Sequence, residues 1–583
     1  MFHWRSGLFF AAALAAGCTS GATDDPAQGP GAANNPGGPG SNTGGGGSSI
    51  PGAPGSAGTP VNTSPDCTQG IAPTSQIPRL KNVQYDRTVR DLLGLTGLKD
   101  SSNAAPSSIL ATDQAGSLTS LGWSSYMSVA DKIAAQVMAD PALRANFMKC
   151  TPTGDGKACL HDTIVQFGRR AFRRPLSADE VAGFDAIVAK GAQITATGAP
   201  LEVAEALLSM FLISPSFLQR SEITTTSDGA GHFALSSPEV ASRLSYLIWG
   251  SIPDDVLNQA ADSNQLTSPE QILSQAKRML ALPQAHDTVS EFHRAYLLMG
   301  TNTRWDTADR DPALFPKFSK ALVPVMQQET EKFFDYIVFT QNGTFTDFLT
   351  SPIAFVNAAT APLYGLDATK FGANLVQTTL DPAQRPGFLT RIGFLNSYSG
   401  YNRTSPILRG AFITKQVLAV PIGSPPPGAE ATPLPTTADL DTNRKQVDQQ
   451  TSGGACATCH HGFINPPGFA MEAFDAAGAW QTKEKSTGAA IDTAVDAQMD
   501  GASVHLTGPA ELMAKIAASP SAQRSYAEKW VSYAYERASN ATDACTVNQL
   551  GAKLTKGGYT VLNLVADLTQ TQSFRFRAVE GAP

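Results

Sequence analysis

A helix-opening device recurs along this chain and narrows its possible folds more than any other feature. Ser177-Ala178-Asp179-Glu180 sets a capping serine three residues ahead of a glutamate, just before Val181, Phe184, Ile187 and Val188. Ser237-Pro238-Glu239 puts a cap and a first-turn proline before Val240, Leu244, Leu247 and Ile248, which share one helical face. Ser268-Pro269-Glu270 repeats the device before Ile272, Leu273, Ala276, Met279 and Leu280. Leu80, Val83, Val89, Leu92 and Leu93 form a further partial stripe that ends near Gly94. Alternating strand patterns are scarce. The expectation is an all-α, or mostly helical, multidomain protein.

The 583 residues are enough for several cores. Apolar residues make up 42 % and charged residues 16 %, which suits a globular body joined to some polar, unfolded sequence. That sequence is easy to place. From Thr19 to about Thr63 the chain is Gly, Pro, Ser, Ala and Asn, including Gly44-Gly45-Gly46-Gly47, and cannot bury enough apolar surface to fold. It is predicted to be a tether over residues 19–66. The proline-rich run Pro421 to Pro435 is predicted to separate a helical N-terminal body from a C-terminal segment. The expected domains are 67–145, 146–225, 226–366, 385–485 and 486–583. A net charge of −7 without a basic block gives nucleic-acid binding no electrostatic support.

The first 18 residues have the features of a targeting segment. Arg5 supplies the positive charge, and Leu8 to Ala16 is an apolar run too short to span a bilayer. Leu14-Ala15-Ala16-Gly17-Cys18 resembles a bacterial lipoprotein signal, which implies lipidation at Cys18. Ordinary signal-peptidase cleavage nearby is the alternative. Thr19 and Ser20 carry no inner-membrane retention aspartate, so by that resemblance the expected location is the outer membrane, facing the periplasm or the surface. Export implies an oxidising compartment. Besides Cys18, Cys456 and Cys459, four cysteines remain. Cys150 and Cys159 flank a short turn and are the expected pair, leaving Cys67 with Cys545 to tie the two ends of the body together. Four free thiols are the competing expectation.

Cys456-Ala457-Thr458-Cys459-His460 carries the one clear chemical signature. Two thiols on one helical turn match the two vinyl groups of a haem, and the next imidazole is placed to ligate the iron. A Cys456–Cys459 disulfide, or half of a zinc site, are the other outcomes; no second CxxC or histidine pair lies nearby to complete the zinc. The downstream candidates for a second axial ligand are Met471, Met499, Met513 and His505, with Met499 favoured because its stretch is polar and turn-rich.

The motif continues as Ile464-Asn465-Pro466-Pro467-Gly468-Phe469-Ala470-Met471-Glu472-Ala473-Phe474-Asp475, then Gly478 and Trp480. This resembles a planctomycete and myxobacterial family of exported cytochrome-c-like proteins, built from domains of unknown function 1587, 1595, 1592, 1588 and 1585. Arg79 to Gly94, Phe167 to Leu176, Arg243 to Trp249 with Phe355-Val356-Asn357, and Thr404 to Gly410 resemble its other segments in order. Two residues depart from the family pattern: Gln450 stands where a histidine is usual, and Asn465 where an aspartate is usual. The resemblance implies a C-terminal cytochrome-c-like helical region and a redox partner, such as another exported protein encoded nearby.

The expected function is therefore single-electron transfer by one covalent haem c, held by Cys456, Cys459 and His460, on a protein whose only membrane link is its lipid. A haem oxidoreductase of peroxidase or oxygenase type, and a non-redox structural or binding lipoprotein with a Cys456–Cys459 disulfide, are the alternatives. Arg169, Arg170, Arg173 and Arg174 suit either a helix C-terminus or an anionic group such as a haem propionate. Glu472 and Asp475 suit acid–base work or a fold-fixing role. Trp249 and Trp305 are expected in a core or interface. No Gly-x-Ser-x-Gly elbow, phosphate loop or His-Glu-x-x-His is present to support a hydrolase or nucleotide reading.

Overall fold

The structure, a computed structural model, describes residues 64–72, 78–98, 120–300, 302–425, 429 and 433–578. Cys18 and the lipoprotein-like leader lie outside the described residues, as does all of the expected tether but 64–66. The described chain is mostly helical, at 54 % of residues. Its strands form only two-stranded antiparallel pairs: His232–Ala234 with Phe576–Ala578, Ile353–Val356 with Val376–Thr379, and Val495–Met499 with Ala502–Leu506. No helix among the described residues is long and apolar enough to cross a membrane.

Local signals explain where the helices begin and end. Helix Asn82–Leu93 stops at Gly94, whose φ of 76° is the left-handed conformation glycine adopts without a Cβ penalty. Ser177 caps helix Ala178–Ala189 and Ser268 caps helix Pro269–Leu280, each in a reciprocal capping box. At the remaining device the cap is Ser236, one residue earlier than expected, because Glu239 reaches back to the Ser236 backbone N–H at 2.8 Å.

Two main apolar clusters result. One packs helices Asn82–Leu93, Ser120–Ala139, Lys157–Ala171 and Pro200–Ile213 through Tyr85, Phe167, Phe211 and Phe217. The other runs from Leu235 to Phe574 and centres on Phe292, stacked on Trp530 with ring centroids 3.7 Å apart. Within it His293 bonds the Tyr526 hydroxyl at 2.9 Å, and burial pulls its pKa down to about 3, so the imidazole is a neutral packing element. The expected segments 226–366, 385–485 and 486–583 all contribute to this one cluster. Lys81 and Arg220 both ion-pair with Glu536, joining the first helix, the end of the smaller cluster and the C-terminal region.

The proline-rich run is not a boundary. Helix Pro406–Phe412 before it packs directly on helix Asn465–Phe469 after it. The run is a surface crossing within one folded unit.

Cys67 and Cys545 are disulfide-bonded across 478 residues, with Cα atoms 5.8 Å apart. The chain ahead of the first helix is fastened beside them by Gln69 Nε2 donating to Gln549 Oε1 at 2.7 Å. Closing so long a loop stabilises the fold by about 6 kcal/mol in the chain-entropy model. Cys150 and Cys159 form the second disulfide, with Cα atoms 5.7 Å apart.

Candidate functional site

The CxxCH turn is built from three consecutive short elements. Helix Gly454–Cys459 leads into a wide π turn, His460–Ile464, and then into helix Asn465–Phe469. The widening has a cause in the sequence. Pro466 and Pro467 have no N–H to donate, and a proline ring inside a helix clashes with the carbonyl four residues back. The π turn relieves this: the Asn465 N–H reaches five residues back to the His460 carbonyl, and the freed Phe463 carbonyl accepts from Thr414 Oγ1 at 2.8 Å.

Behind the turn the packing is as close as backbones allow. A Cβ on Gly468 would sit 2.0 Å from the Pro406 carbonyl oxygen, and one on Gly410 would sit 1.7 Å from that of Ile464. Glycine at both positions lets the two helices touch. Arg409, fully buried between them, donates to the carbonyls of Met471, Phe474 and Asp475, each at 3.0 Å, and to Ser399 Oγ at 2.9 Å. Glu472 lies 3.8 Å from the Arg409 guanidinium and accepts from Thr404 Oγ1 at 2.8 Å and Asn443 Nδ2 at 3.1 Å. Burial pushes the Glu472 carboxyl up to about 7, against the pull of Arg409 and those two hydrogen bonds. Asp475 is equally enclosed, accepting from the N–H groups of Ala477 and Ala479 and pairing with Lys485. Both side chains are buried and bonded into the fold.

The front of the turn is open. Cys456, Cys459 and His460 are each half-buried, and neither cysteine is in a disulfide. The structure therefore does not contain the alternative Cys456–Cys459 bond. A Cβ on Gly453, Gly454 or Gly462 would meet nothing within 4 Å. His460 Nδ1 lies 2.9 Å from Asn465 Oδ1, and Asn465 Nδ2 donates to Thr451 Oγ1 at 2.8 Å. No partner of His460 Nε2 is found among the described residues. His461 instead faces Asp448 at 3.5 Å.

The donor set fits a covalently attached haem: two unbridged thiols one turn apart, then an imidazole with one nitrogen anchored and the other available. No cluster of three or more His, Cys, Asp or Glu side chains suited to a metal ion occurs among the described residues. His460 would supply an axial nitrogen to such a haem, and Cys456 and Cys459 its thioether sulfurs.

Several sequence expectations change here. Met499 is not on a loop. It ends strand Val495–Met499 of a hairpin whose two-residue turn is Asp500-Gly501, with φ of 51° and 79°, and it is 5 % exposed in the large core. An Asp-Gly turn with both φ values positive is the I′ geometry that suits strand twist, and that signal was present in the sequence. Met471 and Met513 are fully buried, and His505 pairs with Asp496 at 2.8 Å on the exposed face of the same hairpin. The four arginines do not converge on one anion. Arg169 pairs with Asp262, Arg174 with Glu180, Arg170 bonds the Asp91 carbonyl, and Arg173 bonds those of Ser216 and Gln219. Trp249 and Trp305 are core aromatics whose indole N–H groups bond the Met279 and Leu297 carbonyls. The buried arginines Arg310, Arg385, Arg391 and Arg409 were not foreseen, since nothing in an isolated arginine codon position marks it for a carbonyl-clamping role.

The turn and its anchor thus define the class: a mostly helical protein that presents one half-open CxxCH segment in front of a closely packed core. Family models match it in chain order as proteins of unknown function: DUF1595 over residues 159–222, DUF1592 over 235–366, DUF1588 over 385–484 and DUF1585 over 503–574. The chain belongs to the family assembled from these domains, and the CxxCH turn falls in the third of them. No curated protein and no solved structure matches the chain.

Proposed function

We propose that this is an exported, lipid-anchored protein with a C-terminal cytochrome-c-like region that carries one covalent haem c and exchanges single electrons with a periplasmic or surface partner. One observation carries the proposal. On a single turn, two half-buried thiols outside any disulfide precede an imidazole held at Nδ1 by Asn465, with no partner for Nε2 among the described residues. Cys456 and Cys459 would provide the thioether sulfurs and His460 Nε2 the axial nitrogen. The bound haem would supply the one-electron couple. Open space beside Gly453, Gly454 and Gly462 supports access to the turn by a porphyrin and by a docking protein. The two disulfides support an oxidising, exported location, with the lipid on Cys18 as the membrane link. The partner is a redox protein; nothing in the charge pattern favours nucleic acid.

A second reading, a haem oxidoreductase with an open iron position, is favoured by the burial of Met471, Met499 and Met513 in the core, away from solvent.

The test is to express the full chain with c-type maturation machinery and measure a pyridine haemochrome spectrum and intact mass. One haem per chain is expected, and Cys456→Ala with Cys459→Ala should abolish it. A haem-free wild-type chain from a competent host rejects the proposal. Carbon monoxide binding by the reduced protein would favour the oxidoreductase reading over simple electron transfer.

A further inference from the structure

We infer, resting on the reading of His460 as an axial ligand, that Asn465 is a positioning residue that fixes the His460 tautomer and holds the potential of the ligated iron above what a carboxylate there would give. The inference comes from counting protons along a buried chain of side chains. Thr451, 4 % exposed, closes helix Asn443–Gln450, and its hydroxyl has one proton to give. The Val447 carbonyl lies 2.7 Å from Thr451 Oγ1 and can only accept, so that proton is committed. Thr451 Oγ1 is therefore an acceptor toward Asn465, 2.8 Å away, and the Asn465 atom facing it must be the NH2 group.

This orients the amide. Asn465, 1 % exposed, cannot turn over without setting its carbonyl against an oxygen that has no proton left. Its Oδ1 then faces His460 Nδ1 at 2.9 Å. A carbonyl oxygen only accepts, so Nδ1 carries the imidazole proton and the Nε2 lone pair is left for a ligand. A free neutral imidazole has no such fixed assignment, because which nitrogen is protonated follows from the bond the other makes. The protein supplies that bond from the first residue of the following helix, five positions on, where the π turn brings it back alongside His460.

The chemical nature of the acceptor sets a second property. A partner on the far ring nitrogen raises the basicity of a metal-ligating histidine, and a charged acceptor does so more than a neutral one. A neutral amide therefore donates less electron density through the imidazole than a carboxylate would, and the oxidised iron is stabilised less.

Two measurements separate this inference from the haem proposal. In the first, the full chain with Cys456→Ala and Cys459→Ala is labelled with 15N-histidine, and the His460 signal is assigned by its loss in His460→Gln. At alkaline pH the Nδ1–H tautomer is expected, with a shift toward Nε2–H in Asn465→Leu. An Nε2–H tautomer in the parent chain overturns the inference and leaves the haem proposal standing. In the second, haem-loaded variants are compared by redox titration. The potential is expected to fall in Asn465→Asp, to rise in Asn465→Leu, and to spread into more than one species in Thr451→Val, which frees the amide to turn. Equal potentials in a wild-type and variant set that all carry haem overturn the inference alone; a wild-type chain that takes no haem overturns the proposal beneath it. Should Asn465→Leu fail to fold, the near-isosteric Asp variant and Thr451→Val carry the comparison.

Discussion

The two sides of the CxxCH segment are opposites. Behind it, Arg409 gives its protons to four backbone carbonyls and a serine hydroxyl, Glu472 is held by Thr404 and Asn443, and two glycines bring helix backbones into contact. In front of it, two thiols and one imidazole nitrogen are half-buried, and three glycines border open space. Groups of high bonding capacity are buried and densely bonded on one face and half-exposed on the other. Buried polar groups left unmatched are costly, so a fold fills them wherever it can. Polar groups at a half-exposed turn carry less of that cost and can be reached by a ligand. A rigid rear face also suits the front, because a metal-ligand imidazole needs a fixed orientation.

The contrast is tested most severely by Arg409→Met. Removing the guanidinium strips five acceptors of their donor and leaves Glu472 buried without its nearest cation. A loss of about 3–5 kcal/mol is expected, measured by urea denaturation. A loss below about 1 kcal/mol would show the rear face is not held by this residue. Next comes a matched glycine pair. Gly468→Ala places a methyl 2.0 Å from a backbone oxygen that cannot step aside, so a loss of about 3 kcal/mol is expected. Gly453→Ala, a few residues before the motif at ordinary φ with nothing within 4 Å, should change stability by less than about 0.5 kcal/mol. Equal losses at the two positions would erase the distinction between the faces.

Legibility in the sequence divides along the same line. Helix starts at Ser177 and Ser268, and the stop at Gly94, were readable because a cap is a local hydrogen bond between residues three or four apart. The Cys67–Cys545 and Cys150–Cys159 bonds follow the pairing drawn from turn spacing and elimination. The CxxCH turn was visible as a motif, but its support was not. Arg409 meets partners ten residues before it and more than sixty after it, and no local pattern announces such contacts. Asn465 meets His460 only because a π turn replaces regular helical spacing, and periodicity of 3.6 does not predict that. The Pro421–Pro435 run was mistaken for a boundary because composition shows where a chain leaves a helix, not whether it returns to the same core. The polar, turn-rich stretch around Met499 reads as a loop unless Asp500-Gly501 is recognised as a two-residue hairpin turn.

A further comparison probes the charge state of the rear face. Burial raises the Glu472 carboxyl from its ordinary 4.5 to about 7. A folded-state pKa above the unfolded one means the native chain binds the extra proton between those two values. The resulting contribution is fully present below about pH 4.5 and is lost as pH rises through about 7, so this residue makes the fold less stable toward neutrality. The full swing is at most roughly 3 kcal/mol. Glu472→Gln keeps an acceptor for Thr404 and Asn443 but cannot ionise. The stability of the wild-type chain, relative to this variant, should therefore climb as pH is lowered from 7 toward 4.5, measured by denaturation at each pH. Arg409 pulls the other way by favouring the ionised form, so combining Arg409→Met with the comparison should push the wild-type midpoint higher still. Parallel pH profiles for the Glu and Gln chains would mean the Glu472 carboxylate is charged throughout, and that the rear face is an ion pair instead of a protonated, hydrogen-bonded lock.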